Sequence, residues 1–185
     1  MLVKRLSALA AVLCVLLCVS LALADAEDSV RITDFIKIQS MTEDGHYGIL
    51  TISPTSEAAN QLAMDAFLIS LEGEMPTAVF TEETQEALKE LIPDARFEMH
   101  EIVGVGASGY LAEMGVCWVT MRFVGDYRTD CAVVVRTEAE GEFTETVLAA
   151  EPDPYGRVLS TFPIDVMEAI RDADSAVIAV VSRGN

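Results

Sequence analysis

Residues 116–136 constrain the fold of this chain more than any other stretch. Two β-rich runs lie on either side of Gly125-Asp126, the residue pattern of a tight hairpin turn. With side chains alternating along a strand, Cys117, Val119, Met121 and Phe123 fall on one face of the first run. Cys131, Val133 and Val135 do the same in the second. Trp118, the single Trp, turns to the opposite face with Thr120 and Arg122. The pattern predicts a central β-hairpin.

The remaining elements are read around that hairpin. Residues 30–39 and 47–52 are β-rich and flank the turn signal at Thr42-Glu43-Asp44-Gly45, which predicts a first hairpin. Ser53 to Glu57 offers N-caps, a first-turn Pro and an early acid, so a helix should run to about Leu71. Its polar strip is only Asn60, Gln61 and Asp65, which predicts a helix buried on most of its circumference across a sheet face. Gly73 ends it. Residues 81–91 form a shorter helix with Glu82, Glu83 and Glu86 in its early turns, closed by Pro93. Residues 96–103 read as a strand with Phe97, Met99, Glu101 and Val103 on one face and Arg96, Glu98, His100 and Ile102 on the other. Gly104 to Gly109 reads as a flexible loop. Glu138 to Glu142 is a polar turn and residues 143–150 a returning strand. Glu151-Pro152-Asp153-Pro154 is an exposed bend. Residues 158–162 are a short strand, 164–171 a last helix, and 176–181 an apolar strand buried on both faces. Strands joined by short turns, with helices grouped in two places, give an α+β fold. It should be a mostly antiparallel curved sheet with one long buried helix and two shorter helices.

Residues 1–24 have the form of a secretory signal peptide: Lys4 and Arg5, an apolar run over 6–23, then Ala22-Leu23-Ala24 ahead of Asp25. The rival reading is an uncleaved anchor, since the run is about long enough to span a bilayer. Leu13 and Leu17 precede Cys14 and Cys18, which argues against a lipidated Cys. Residues 25–185 would then form a single domain in a secreted or envelope protein. The whole chain holds 12 basic and 30 acidic residues, and the leader removes two bases and no acid, leaving about −20. Such a charge repels nucleic acid and anionic membranes and permits cationic partners or divalent metals. It also keeps a secreted protein dispersed.

Cys117 and Cys131 remain after cleavage, and in an exported protein a disulfide is the first expectation. The predicted hairpin argues against it. A two-residue loop sets the two cysteines on opposite faces. A three-residue loop leaves them four residues out of register, on the order of 13 Å apart, where bridging needs Cα atoms within about 7 Å. Two buried thiols are expected.

Gly104-Val105-Gly106-Ala107-Ser108-Gly109 matches the dinucleotide fingerprint, but the residues before the next strand are too few for the helix that would hold a pyrophosphate. Gly106 to Tyr110 resembles a nucleophile elbow with Tyr110 in place of the second Gly and no helix after it. Glu98 and His100 have the spacing of two metal ligands, with His46 a possible third, but a zinc site needs three or four fixed donors. Glu138, Glu140 and Glu142, and separately Asp172 and Asp174, gather carboxylates without the loop pattern of a calcium site. Trp118, Tyr110, Tyr127 and Tyr155 could line a binding face. No complete catalytic, cofactor or metal set emerges.

The helix at 58–71, the run Thr77 to Leu88, and the long strands with Glu140-Gly141-Glu142-Phe143 near the end give the chain a layout similar to small NTF2-like domains. That resemblance implies a cone of helix and curved sheet, sometimes holding a pocket. The first hairpin and the last helix–strand unit lie outside it. Two functions follow. In the first, the protein acts by binding a protein, peptide or carbohydrate. In the second, a pocket between the long helix and the sheet binds a small molecule or works as an enzyme, with Asp65, Glu98 or Glu101 as acid and base.

Overall fold

A computed structural model describes residues 37–38, 48–53, 56–93, 96–109, 119–124, 130–154 and 157–184. The described chain runs β1 (Lys37–Ile38), β2 (Gly48–Ser53), α1 (Glu57–Leu71), a 3-10 turn (Pro76–Val79), α2 (Glu82–Leu91), β3 (Phe97–Gly109), β4 (Val119–Val124), β5 (Cys131–Ala139), β6 (Glu142–Pro152), β7 (Arg157–Phe162), α3 (Ile164–Asp172) and β8 (Ser175–Arg183). The strands form one eight-stranded sheet in the order β1-β4-β7-β6-β5-β8-β3-β2, and each pairing in it is antiparallel. Its two edge strands, β1 and β2, come into contact, so the sheet curls. The α+β expectation holds.

Local chemistry sets most of the boundaries. Ser56 caps α1 by accepting the Ala59 N–H on Oγ, 3.1 Å away, and Gly73 leaves the helix at a φ of 89°. Thr81 caps α2 in the same way through Thr84 N–H. Ala139 pairs with Glu142, so Glu140-Gly141 is a two-residue hairpin loop, and φ values of 55° and 80° make it the twisted turn that matches strand handedness. The Asp174 carboxylate accepts the Glu140 N–H at 2.9 Å and steadies that loop.

Helices cover both faces of the sheet. Val103, Val133, Val135, Val158, Phe162, Ile178 and Val180 pack with Val166, Met167 and Ile170 of α3. On the other face Ala132, Val134, Val177, Ala179 and Val181 pack with Ala59 and Leu62 of α1, Leu88 of α2 and Phe80. Alternate residues of β5 and β8 therefore enter opposite cores, which is why 176–181 reads as an unbroken apolar run.

Four expectations fail. The central hairpin does not form: β4 pairs with β1 and β7, whereas β5 pairs with β6 and β8. The nine-residue ladder set by the Glu140-Gly141 turn takes one edge of β5, and buried β8 takes the other. Without that hairpin its register no longer separates Cys117 from Cys131, and Cys117 lies outside the described residues. The described parts of the first hairpin do not pair with each other either: β1 pairs with β4 and β2 with β3, and residues 30–36 and 39–47 lie outside the described residues. Gly104 to Gly109 is not a loop but the far half of β3, paired with β2. Finally, β3 does not keep one face. Met99 pairs with Val181 and Glu101 with Val180, so His100 is an extra residue in a β-bulge. Phe97 and Met99 enter the α1 core, whereas Val103 enters the α3 core.

Candidate functional site

The long helix departs from its expected burial. Ala59, Leu62 and Ala66 form its buried strip, and the opposite side stays open. Met64 is 47%, Phe67 53%, Leu68 50% and Leu71 68% exposed. These positions are i, i+3, i+4 and i+7, so they form one stripe along two helical turns. A helix apolar all round reads as buried, and the sequence holds no sign of which side chains a neighbour will cover. Glu57 lies on the N-terminal continuation of the stripe, and exposed Glu72 and Glu74 follow its C-terminal end.

The seam beneath α1 is filled. Ala59 and Leu62 meet Ala132, Val134, Val177, Ala179 and Val181, with Ala58, Met75 and Ile102 around them. The proposed acid–base residues do not converge there. Asp65 stays on α1, accepting from Gln61 Nε2 at 2.8 Å. Glu101 is 7% exposed, and its partner Val180 belongs to the α3 core, so its side chain lies on that side of the sheet. Glu98 pairs with Ser182 and takes the same side.

A polar row crosses that α3 side of the sheet. Glu98, Ser182 and Cys131 are register partners on β3, β8 and β5. The bulged His100 reaches the row, with Nε2 2.5 Å from Ser182 Oγ. Ser182 Oγ also donates to Arg183 O at 3.3 Å. A hydroxyl carries one proton, so both bonds are made only when His100 donates from Nε2–H, the reverse of what a general base does. Burial lowers the His100 pKa below its ordinary value, against the opposing pull of Glu98. Burial, helped by Asp130, pushes the Cys131 thiol up to about 11. Ser182 and Cys131 are both buried. A protonated thiol and a buried hydroxyl make a polar seam between strands and not an armed nucleophile.

A shallow groove of about 480 Å³ lies between α2 and β6, lined by Thr81, Glu83, Ala87, Phe143 and Glu145 among others. Its floor is a lock. Glu145, with a side chain 1% exposed, pairs with Arg136 Nη2 at 2.5 Å and accepts from Arg136 Nε at 2.8 Å. It also accepts the N–H and hydroxyl of Thr81 at 2.9 and 3.0 Å. Burial alone would raise the Glu145 carboxyl, but these donors and the guanidinium charge hold it below its ordinary value. Arg136 Nη2 further donates to Val79 O at 2.8 Å, and its guanidinium lies 5.5 Å from the Phe80 ring and 4.8 Å from the Phe143 ring. Both Glu145 oxygens and the Nε and Nη2 of Arg136 are engaged within the fold.

The other motifs are accounted for by structure. A Cβ on Gly104 would stand 2.1 Å from Ser56 Oγ and 2.7 Å from Ser53 O, so this glycine lets the start of α1 lie against β3. Ser108 sits on the same strand as His100, eight residues and roughly 26 Å away, too far for a dyad. The two acidic stretches meet: Asp174 caps the Glu140 turn, and Glu138 accepts from Ser175 Oγ at 3.2 Å. Among the described residues no group of three or more His, Cys, Asp or Glu side chains could hold a metal ion. His46, Tyr110, Trp118, Tyr127 and Tyr155 lie outside the described residues, as does 1–24. No family model, curated protein or solved structure matches the chain. The similarity to NTF2-like domains thus rests on element order alone and brings no functional residue with it.

Proposed function

We propose that the protein is exported and works by binding a protein partner, which docks on the outward face of α1. The single observation that carries this reading is the exposed stripe of Met64, Phe67, Leu68 and Leu71. Folded monomers seldom leave large apolar side chains contiguous on the surface, and such patches mark interaction sites. The i, i+3, i+4, i+7 spacing is that by which one helix anchors another. Neither the polar row nor the α2–β6 groove competes, since their reactive groups are protonated, buried or already paired.

The test places a photo-crosslinking residue at position 68, or at exposed Glu90 as a control, in cells that make the protein. Position 68 should give an adduct with one other protein, lost when Phe67→Ser and Leu71→Ser are added. Because these side chains are exposed, the two substitutions should each change stability by within about 0.5 kcal/mol. Absence of an adduct, or equal adducts from 68 and 90, would refute the docking face.

A further inference from the structure

The chemistry around the stripe names its partner. Between Ile38 and Leu88 the sequence contains no Lys or Arg. The helical layer over residues 57–91 carries eight acids, with Lys89 as its only Lys or Arg. Of the acids, Glu57, Glu72 and Glu74 bracket the apolar stripe at its two ends, and all three are exposed. Glu72 and Glu74 sit where a helix least favours them. The C-terminal end of α1 carries partial negative charge, and its last turn holds no basic residue to offset it. Placing two acids there works against the helix dipole and weakens the helix. Local rules are broken in this way where function requires it.

We infer that the partner presents a cationic amphipathic helix, with apolar side chains on the face that meets Met64, Phe67, Leu68 and Leu71 and Lys or Arg flanking them. The inference rests on the docking role of α1. Alternative occupants fit less well. A second copy of this chain would bring two acidic helical layers together, and like charges juxtaposed at an interface oppose association. An anionic lipid surface is repelled for the same reason. A cationic helix satisfies the stripe and its rim together: burial of four large apolar side chains supplies the attraction, and Glu57, Glu72 and Glu74 set orientation and speed of encounter.

The experiment uses the purified protein and three synthetic 18-residue peptides, read by fluorescence anisotropy. One is a Leu/Lys amphipathic helix, the second has Glu in place of every Lys, and the third is the Leu/Lys composition reordered to remove the apolar face. The Leu/Lys helix should bind at least ~10-fold more tightly than the other two. Phe67→Ser with Leu71→Ser should weaken it at least ~10-fold. Glu72→Gln with Glu74→Gln should weaken it by about 3- to 10-fold and flatten its dependence on salt. Three results would overturn the inference. Equal binding of the Leu/Glu helix, abolished by the Phe67/Leu71 changes, removes the charge preference and leaves the docking face standing. Binding of the Leu/Lys helix that survives the Phe67/Leu71 changes is general attraction to an acidic protein. A dimer in sedimentation that those changes dissociate assigns the stripe to a second copy.

Discussion

Removing Arg136 tests whether the Arg136–Glu145 pair ties the β5–β6 hairpin to α2. In Arg136→Leu the Glu145 carboxylate, 1% exposed, loses the Arg136 guanidinium and keeps the two Thr81 donors. Breaking a buried pair from one side costs about 3–5 kcal/mol, because a desolvated charge is left behind. Arg136 itself is 20% exposed, which places the expected loss at the lower end, about 3 kcal/mol. Part of that is the Val79 carbonyl bond and the contacts with Phe80 and Phe143, each about 0.5–1 kcal/mol. At a urea dependence of about 2 kcal/mol per M, the unfolding midpoint should fall by roughly 1.5 M.

Two controls give the measurement its meaning. Arg136→Leu combined with Glu145→Leu removes the stranded charge, so it should recover part of the loss; it still lacks the Val79 carbonyl bond and the Phe80 and Phe143 contacts, and it orphans the Thr81 N–H at about 1 kcal/mol. The pH dependence carries a sign. Glu145 is held below its ordinary value of 4.5 in the folded protein, so its contribution is present above about pH 4.5 and is lost as pH falls through the lower folded value. Loss of Arg136 raises that folded value, so the gap between wild type and Arg136→Leu should narrow on acidification below about pH 4.5. A loss under about 1 kcal/mol would mean that the pair behaves as an exposed one. A double variant worse than the single would mean that the guanidinium acts through packing alone.

Gly104→Ala should destabilise by about 2–4 kcal/mol, since the new methyl overlaps Ser56 Oγ and displaces the α1 cap as well as crowding the strand. A thermal shift measures it, and an unchanged melting temperature would refute the close approach of helix and strand. His100→Gln should flatten the stability profile between pH 5 and 7.5. The folded imidazole resists protonation, so wild-type stability falls as pH drops below about 6.5. Urea midpoints at the two pH values decide it, and an equal slope in the variant would assign the pH dependence to other groups.

What the sequence made legible was local. Ser56 and Thr81 declare two helix starts, Gly73 an end, and Glu140-Gly141 a hairpin loop, because each acts on backbone groups within a few residues of itself. The unbroken apolar run in β8 announced burial on both faces. Strand pairing was not legible. Gly125-Asp126 carries as good a turn signal as Glu140-Gly141, but pairing depends on which edges remain open once the longest ladders form, and that is a property of the whole sheet. The bulge at His100 was equally hidden. No Gly or Pro marks it, and one inserted residue reassigns Glu101 and Val103 to the opposite core.

The α1 stripe shows why this matters for function. Periodicity reports how apolar a helix is and in which directions, but not how many neighbours the fold has to offer it. Here the supply can be followed through the described elements. The sheet takes Ala59 and Leu62, with Ala66 buried on the same strip; α3 lies on the far face; α2 packs over β5 and β6. None of the described elements covers Met64, Phe67, Leu68 and Leu71, which remain about half exposed or more. The apolar content that suggested a buried helix is therefore best read in two halves. One half holds the helix on the sheet, and the other half is the surface on which the proposed partner would dock.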